Sequence, residues 1–240
     1  MRIHRWSHGA GAILVLSFWA FPLSGATNAV TIVPGNSDPY LAGMPNGTLC
    51  CTGDSAPAQS PVQVTGLTLA SGTVLTFTVT GSVNNGVGPP TDPPDGGALI
   101  GAPANDGIAG INAPLNSLVG VFLDNSQPDS TAAPATLDFS PGGLGTSFST
   151  LSPGLKQVFF IGDGLTGNGT GAQQRFVVPA GATRFFLGTD DGFGWYNNTG
   201  AFNVTAVLAP VASVPTIGTS GLIAFGTLLA GLGVWALSRR

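Results

Sequence analysis

The segment Leu75-Thr76-Phe77-Thr78-Val79-Thr80 is the clearest fold signal in this chain. It alternates between large apolar residues and threonines, and successive side chains of a β-strand point to opposite faces. The segment is therefore predicted to be a half-buried strand, with Leu75, Phe77 and Val79 facing a core. A shorter alternation at 62–65 precedes it.

Similar short segments follow, separated by turns rich in Gly, Pro, Asn and Asp. No part of residues 30–208 shows helical periodicity. Seven or eight such strands predict an all-β fold, a jelly-roll-like β-sandwich over residues 61–208. Residues 30–60 are predicted to be an irregular lead-in, and 81–116 a long loop without regular structure. The later strand candidates lie at 118–123, 135–139, 157–161, 175–178, 183–187 and 201–207.

Composition excludes several chemistries. Charged residues make up only 8% of the 240 residues, all eleven acids are Asp, and both histidines (His4 and His8) lie near the N-terminus. Without a histidine in the domain, a Ser-His-Asp triad, a Cys-His pair and a His-based zinc site are excluded. Three scattered cations, Lys156, Arg175 and Arg184, do not make a nucleic-acid surface. We expect no enzyme; an Asp-dependent glycoside hydrolase is the remaining catalytic alternative.

The only two cysteines, Cys50 and Cys51, are adjacent. Neighbouring Cα atoms are ~3.8 Å apart, whereas disulfides usually join Cα atoms ~4.4–6.8 Å apart. Three states remain open at this stage: a vicinal bridge, links to another chain, or free thiols.

Residues 1–29 are predicted to be a secretory signal peptide. A basic start with Arg2 and Arg5 precedes an apolar stretch at 10–23, and small residues then permit cleavage after Ala26 or Ala29. The alternative is a retained N-terminal anchor. Cleavage would leave a protein that is exported to the cell envelope or the extracellular surface.

Residues 209–240 combine three features in a fixed order. Val214-Pro215-Thr216-Ile217 comes first, then an uncharged apolar run at 221–237, then Ser238-Arg239-Arg240. The run is just long enough to span a bilayer as a helix, and the arginines would remain cytoplasmic. This tail resembles the PEP-CTERM class of bacterial sorting signals, in its Ile-Pro-Thr-Leu variant (IPTL-CTERM). The resemblance implies an exosortase-type processing enzyme as a partner and a helix held at least transiently in the inner membrane; a plain membrane anchor is the alternative.

The segment 187–204 carries the candidate binding residues. It contains the paired acids Asp190 and Asp191, the aromatics Trp195 and Tyr196, and the amide pair at 197–198. Calcium takes six to eight oxygen ligands from carboxylates, amides and carbonyls, and this loop offers all three types. The same residues are also ordinary hairpin material, because Asn, Asp and Gly favour turns.

The segment resembles the calcium-dependent galactose-binding lectins of the LecA type, in which an Asp is followed seven and eight residues later by two Asn. The resemblance implies a calcium ion held by Asp190, Asn197, Asn198, the Gly194 carbonyl and a backbone carbonyl near Asn85. The carbohydrate would then meet residues from the same loop, together with Asp95, which matches part of an early sugar-contacting stretch in that family. The implied carbohydrate-binding residues are Asp190, Asp191, Trp195, Tyr196, Asn197 and Asp95.

The sequence therefore predicts an exported bacterial surface protein whose β-sandwich binds carbohydrate through bound calcium. Its alternative is a structural surface or extracellular-matrix protein without a small ligand.

Overall fold

The computed structural model describes residues 26–86 and 88–209. Residues 1–25 of the predicted signal peptide and the tail from residue 210, with Val214, Pro215, Thr216, Arg239 and Arg240, lie outside the described residues. The described part is built almost entirely of strands, with three 3-10 helices: Pro39–Leu41, Pro128–Ser130 and Trp195–Asn197. None of the helices in this part has the length and apolarity that crossing a membrane requires.

The strands, in chain order, are β1 (Thr27–Pro34), β2 (Leu49–Cys50), β3 (Asp54–Ser55), β4 (Val62–Gln63), β5 (Val74–Asn84), β6 (Leu99–Ala102), β7 (Ile111–Pro114), β8 (Leu118–Leu123), β9 (Leu137–Asp138), β10 (Thr150–Leu151), β11 (Val158–Phe160), β12 (Leu165–Gly167), β13 (Thr170–Gln173), β14 (Arg175–Val177), β15 (Arg184–Thr189) and β16 (Thr199–Ala209).

Two sheets dominate the described part. One has five strands in the order β1-β16-β5-β14-β10, and the other has four in the order β11-β8-β15-β4. Three small sheets, β2-β3, β12-β13 and β6-β7-β9, lie in the connections. This arrangement agrees with the predicted all-β class and with a sandwich architecture.

The alternating segment behaves as its pattern predicts. Leu75, Phe77 and Val79 are buried in β5, whereas Thr78 and Thr80 on the opposite face are exposed. β5 pairs antiparallel with β16 along its whole length, from Asn84 opposite Thr199 to Val74 opposite Ala209. This long pair fixes where the loops at its two ends lie.

The core between the two sheets is aromatic. Phe77 and Phe176 of the five-stranded sheet are fully buried, as are Phe159 and Phe185 of the four-stranded sheet. Ring centroids are 5.9 Å apart for Phe77 and Phe185, and 5.7 Å apart for Phe159 and Phe176. Aromatic pairs in this range stabilise beyond the burial of their area, so these contacts join the sheets.

Two sequence-based assignments are corrected. The segment 30–60 is not an irregular lead-in, because β1 forms an edge of the main sheet through eight pairs with β16, and Tyr40 and Leu41 lie in the core. The segment 81–116 is not one loop, since β5 continues to Asn84 and β6 pairs with β7 inside it. β1 and the end of β5 gain their regular structure from β16, which is distant in sequence, so local composition does not reveal it.

Cys50 and Cys51 are bonded to each other, so the structure contains the vicinal bridge among the three states left open by the sequence. The pair sits where β2 turns toward β3, with Cys50 buried and Cys51 exposed.

Candidate functional site

The candidate site lies where β15 ends and β8 begins. Asp190 follows the last residue of β15, and its backbone N–H donates to the Ser117 carbonyl at 2.9 Å. The Asn116 N–H donates in return to the Asp190 carbonyl at 2.8 Å. The antiparallel ladder therefore extends past both strands, and it holds Asp190 next to Asn116 and Ser117.

Asp190 is a buried carboxylate without a hydrogen-bond partner. Asp190 is 0% exposed, and neither Oδ1 nor Oδ2 accepts a hydrogen bond. Burial, and then the charge of Asp191, raise its pKa well above the ordinary value. Burying an unpaired carboxylate is costly, and proteins offset the cost with a proton or with a cation.

Several neighbouring oxygens are unsatisfied in the same way. Asn116 Oδ1, Ser117 Oγ and Asn198 Oδ1 are buried without partners, as is the Tyr40 hydroxyl. Burial, and then the charge of Asp190, raise the pKa of Tyr40. Buried polar atoms without partners are uncommon in native proteins. Those of the Asp190 region are all oxygens, which are the ligand atoms that hard cations prefer.

Asn116 links this region to the loop after β5. Its Nδ2 donates to Asp92 Oδ2 at 2.6 Å and to Asn85 Oδ1 at 3.3 Å, and its φ of 65° is in the left-handed region. Asn85, a predicted site residue, is thereby tied through Asn116 to the Asp190 backbone. Asn116 was not among the predicted residues; an isolated Asn before an apolar strand carries no ligand spacing that would single it out.

Asp191 and Asn198 also meet. Asn198 Nδ2 donates to Asp191 Oδ2 at 3.0 Å and to the Gly35 carbonyl at 3.2 Å. Two acceptors face that nitrogen, so the amide orientation is determined and Oδ1 points away from both. Burial raises the pKa of Asp191, although the Asn198 hydrogen bond opposes the shift.

Asp54 positions the rest of the loop. Its carboxylate accepts the Trp195 N–H at 3.1 Å and the Tyr196 N–H at 2.7 Å, and Gly194 starts this turn in the left-handed region with a φ of 89°. The Gly194 carbonyl accepts the Asn197 N–H at 3.4 Å within the turn. Burial raises the pKa of Asp54 despite these hydrogen bonds. The sequence did not reveal Asp54, because it is more than 130 residues from the loop that it holds.

The predicted aromatic residues differ in accessibility. Trp195 is 0% exposed, donates from Nε1 to the Thr189 carbonyl at 2.9 Å, and packs edge-on against Tyr40. Its ring belongs to the core and is closed to a ligand, contrary to the expectation that it faces a sugar. Tyr196 is 55% exposed, and Phe193, which was not among the predicted residues, is 69% exposed.

Two predicted residues have surroundings that differ from those of Asp190. Asn197 is exposed, whereas Asp190 and Asn198 are buried, so the two adjacent asparagines occupy different environments. Asp95 lies against another turn, where its Oδ1 accepts the Asp163 N–H at 3.4 Å. Burial, and then the charge of Asp163, raise the pKa of Asp95 to about 6.

No cation of the described residues neutralises this region. Lys156 donates to the Pro128 and Ala132 carbonyls, and Arg184 donates to those of Asp124 and Ser126. Arg175 is exposed on β14. The fully buried Asp38 shows the consequence: burial, and then neighbouring aspartates, raise its pKa to about 8.

No protein-family model, curated protein or solved structure matches this chain.

Proposed function

We propose that this chain is an exported bacterial surface protein whose β-sandwich, wound as a jelly roll, binds calcium and recognises carbohydrate. The observation that carries the proposal is the Asp190 carboxylate, fully buried with both oxygens unpartnered. A divalent cation with oxygen ligands supplies the missing charge and the missing contacts together.

The proposed calcium ligands include some of those predicted from the sequence. Asp190 and Asn198 remain, and Asn116 Oδ1 and Ser117 Oγ join them, because all four residues have buried oxygens without partners. Asn85 supports this set through its hydrogen bond with Asn116. Gly194 and Asn197 belong to the outer turn of the same loop; the buried Gly194 would contribute its carbonyl, and the exposed Asn197 its amide oxygen.

The carbohydrate would meet the outer turn. Tyr196 and Phe193 expose their rings there, and the Asn197 amide lies beside Tyr196 in an exposed position. Aromatic rings offer an apolar face to sugar C–H groups, and a phenol or an amide adds hydrogen bonds. Calcium would hold the loop, and Asp54 would orient it by accepting hydrogen bonds from the N–H groups of Trp195 and Tyr196.

The predicted termini complete the proposal. A signal peptide would export the chain, and an IPTL-CTERM-like tail with Val214, Pro215 and Thr216 would bring it to an exosortase-type enzyme at the inner membrane. The domain would then act at the cell surface or in the extracellular matrix.

Two measurements on the full-length chain in mild detergent test the proposal. Thermal unfolding should shift upward with Ca²⁺ and return with chelator, since a ligand of the native state alone stabilises it. A glycan array with Ca²⁺ present should then show selective binding that chelator abolishes. A calcium-independent melting curve with no glycan bound would favour the structural surface protein instead.

A further inference from the structure

A second group of ligand atoms lies beside the first site. Asp38, Cys50 and Cys51 each direct one ligand atom to a common region, with the three atoms within 4.8 Å of one another. Asp38 and Cys50 are buried, whereas Cys51 is exposed at the turn and opens the group to solvent. Two sulfurs and one carboxylate differ from the oxygen-only surroundings of Asp190.

The contacts of this group do not suit a closed disulfide. Cys51 Sγ lies 3.7 Å from Asp38 Oδ2, and a bonded sulfur has no proton to donate to that carboxylate. The other oxygen, Oδ1, is already satisfied by the Tyr40 N–H at 2.8 Å. In the oxidised form, therefore, Oδ2 is satisfied only while the carboxyl keeps its own proton, whereas in the reduced form a cation can bridge the carboxylate and the two sulfurs.

Asn105 completes the surroundings. Its Nδ2 lies 3.3 Å from Cys50 Sγ and 3.7 Å from Cys51 Sγ. Its Oδ1 accepts the Asp106 N–H at 2.9 Å, so the nitrogen is held toward the sulfurs. An N–H donor aimed at two sulfurs stabilises thiolates, which are the form that binds metal. Asn105 also lines a surface cavity of about 360 Å³.

We propose that, in the reduced chain, Asp38, Cys50 and Cys51 form a site for a thiophilic divalent cation of the zinc class. Two thiolates and a carboxylate provide three protein ligands, and a water completes a tetrahedral set. The vicinal disulfide is the closed form of this site. A dithiol reductant opens it by supplying two electrons and two protons: the S–S bond breaks, two S–H groups form, and the reductant becomes a disulfide. Metal binding then releases the two thiol protons to solvent.

Cobalt titration of the full-length chain in mild detergent tests the proposal. The protein is reduced with a water-soluble phosphine, which is oxidised to its phosphine oxide, and Co²⁺ is added as a spectroscopic stand-in for Zn²⁺. The reduced chain should bind one Co²⁺, with thiolate-to-cobalt charge-transfer absorption in the near ultraviolet. Zn²⁺ should displace this signal, and the oxidised chain should not develop it.

Three variants separate this site from simple dithiol chelation. Asp38→Asn should weaken Co²⁺ binding at least tenfold while two thiols still titrate, and Asp138→Asn, a matched change at an exposed aspartate that does not line the cavity beside Asn105, should leave binding unchanged. Cys51→Ser should abolish the charge-transfer band; because Cys51 is exposed, this variant stays informative if Asp38→Asn impairs folding. Equal binding by reduced and oxidised chains, absence of the band in the reduced chain, or wild-type affinity in a folded Asp38→Asn variant would each overturn the proposal. Calcium-dependent melting has no part in these readouts, so the two proposals fail separately.

Discussion

Replacing Asp190 with leucine should have opposite effects on stability with and without calcium. Leucine has the same number of side-chain heavy atoms as aspartate, so Asp190→Leu conserves shape while it removes two buried oxygens that lack partners. A buried polar group without a partner costs about 1–3 kcal/mol. In chelator, the variant should therefore equal or exceed the wild type in free energy of unfolding, by up to about 3 kcal/mol.

With calcium the order should reverse. A ligand at one hundred times its dissociation constant stabilises the native state by about 2.7 kcal/mol. For a domain of this size each kcal/mol corresponds to about 2–4 °C, so the wild type should gain roughly 5–10 °C in melting temperature. Asp190→Leu loses the carboxylate and should gain nothing from calcium.

Differential scanning calorimetry of both proteins, in chelator and in millimolar Ca²⁺, makes the comparison directly. Asp129→Leu is the control, since Asp129 is exposed and its carboxylate already accepts a hydrogen bond from Gln127; it should keep the full calcium response. The reasoning is refuted if Asp190→Leu retains the wild-type calcium shift, or if it is less stable than the wild type by several kcal/mol in chelator.

Four further outcomes are expected. Tyr196→Ala should abolish glycan binding without changing the melting temperature, because its ring is exposed. Trp195→Ala should destabilise the protein by about 3–5 kcal/mol, since that ring lies in the core. Equal effects of the two changes on stability would contradict this distinction. In chelator, urea unfolding should show stability fully present below about pH 4 and lost as the pH rises toward 8, because the folded-state pKa of Asp38, about 8, lies above its ordinary value; a rise in stability over this range would exclude the effect. Asp54→Ala should cost about 1–3 kcal/mol and loosen the 194–197 turn, seen as faster amide exchange there and unchanged exchange in β8. N-terminal sequencing of the exported protein should find Thr27 first, because cleavage after Ala29 would remove three residues that pair with β16.

Some candidate site residues are close together in the sequence, and others are distant from them. Asp190, Asp191 and Asn198 lie within nine positions, and their residue types were enough to predict a cation-binding loop from the sequence. The sequence pattern did not predict which residues are buried. Trp195 and Tyr196 are neighbours with the same aromatic character, yet Trp195 lies in the core and Tyr196 is exposed. Both residues lie in one 3-10 turn, and Asp54 holds this turn by accepting their backbone N–H groups. Because Asp54 is distant in sequence, no local spacing connects it with them.

Alternation of apolar residues with threonines was enough for the all-β class, because side-chain direction in a strand depends only on the order of the residues. Composition likewise excluded histidine chemistry without reference to shape. Which oxygens meet was decided by pairing over a long distance, because β8 with β15 brings Asn116 and Ser117 to Asp190. These contacts arise only when strands distant in sequence close a shared core, since burial then fixes which polar atoms lose water and which partners remain within reach.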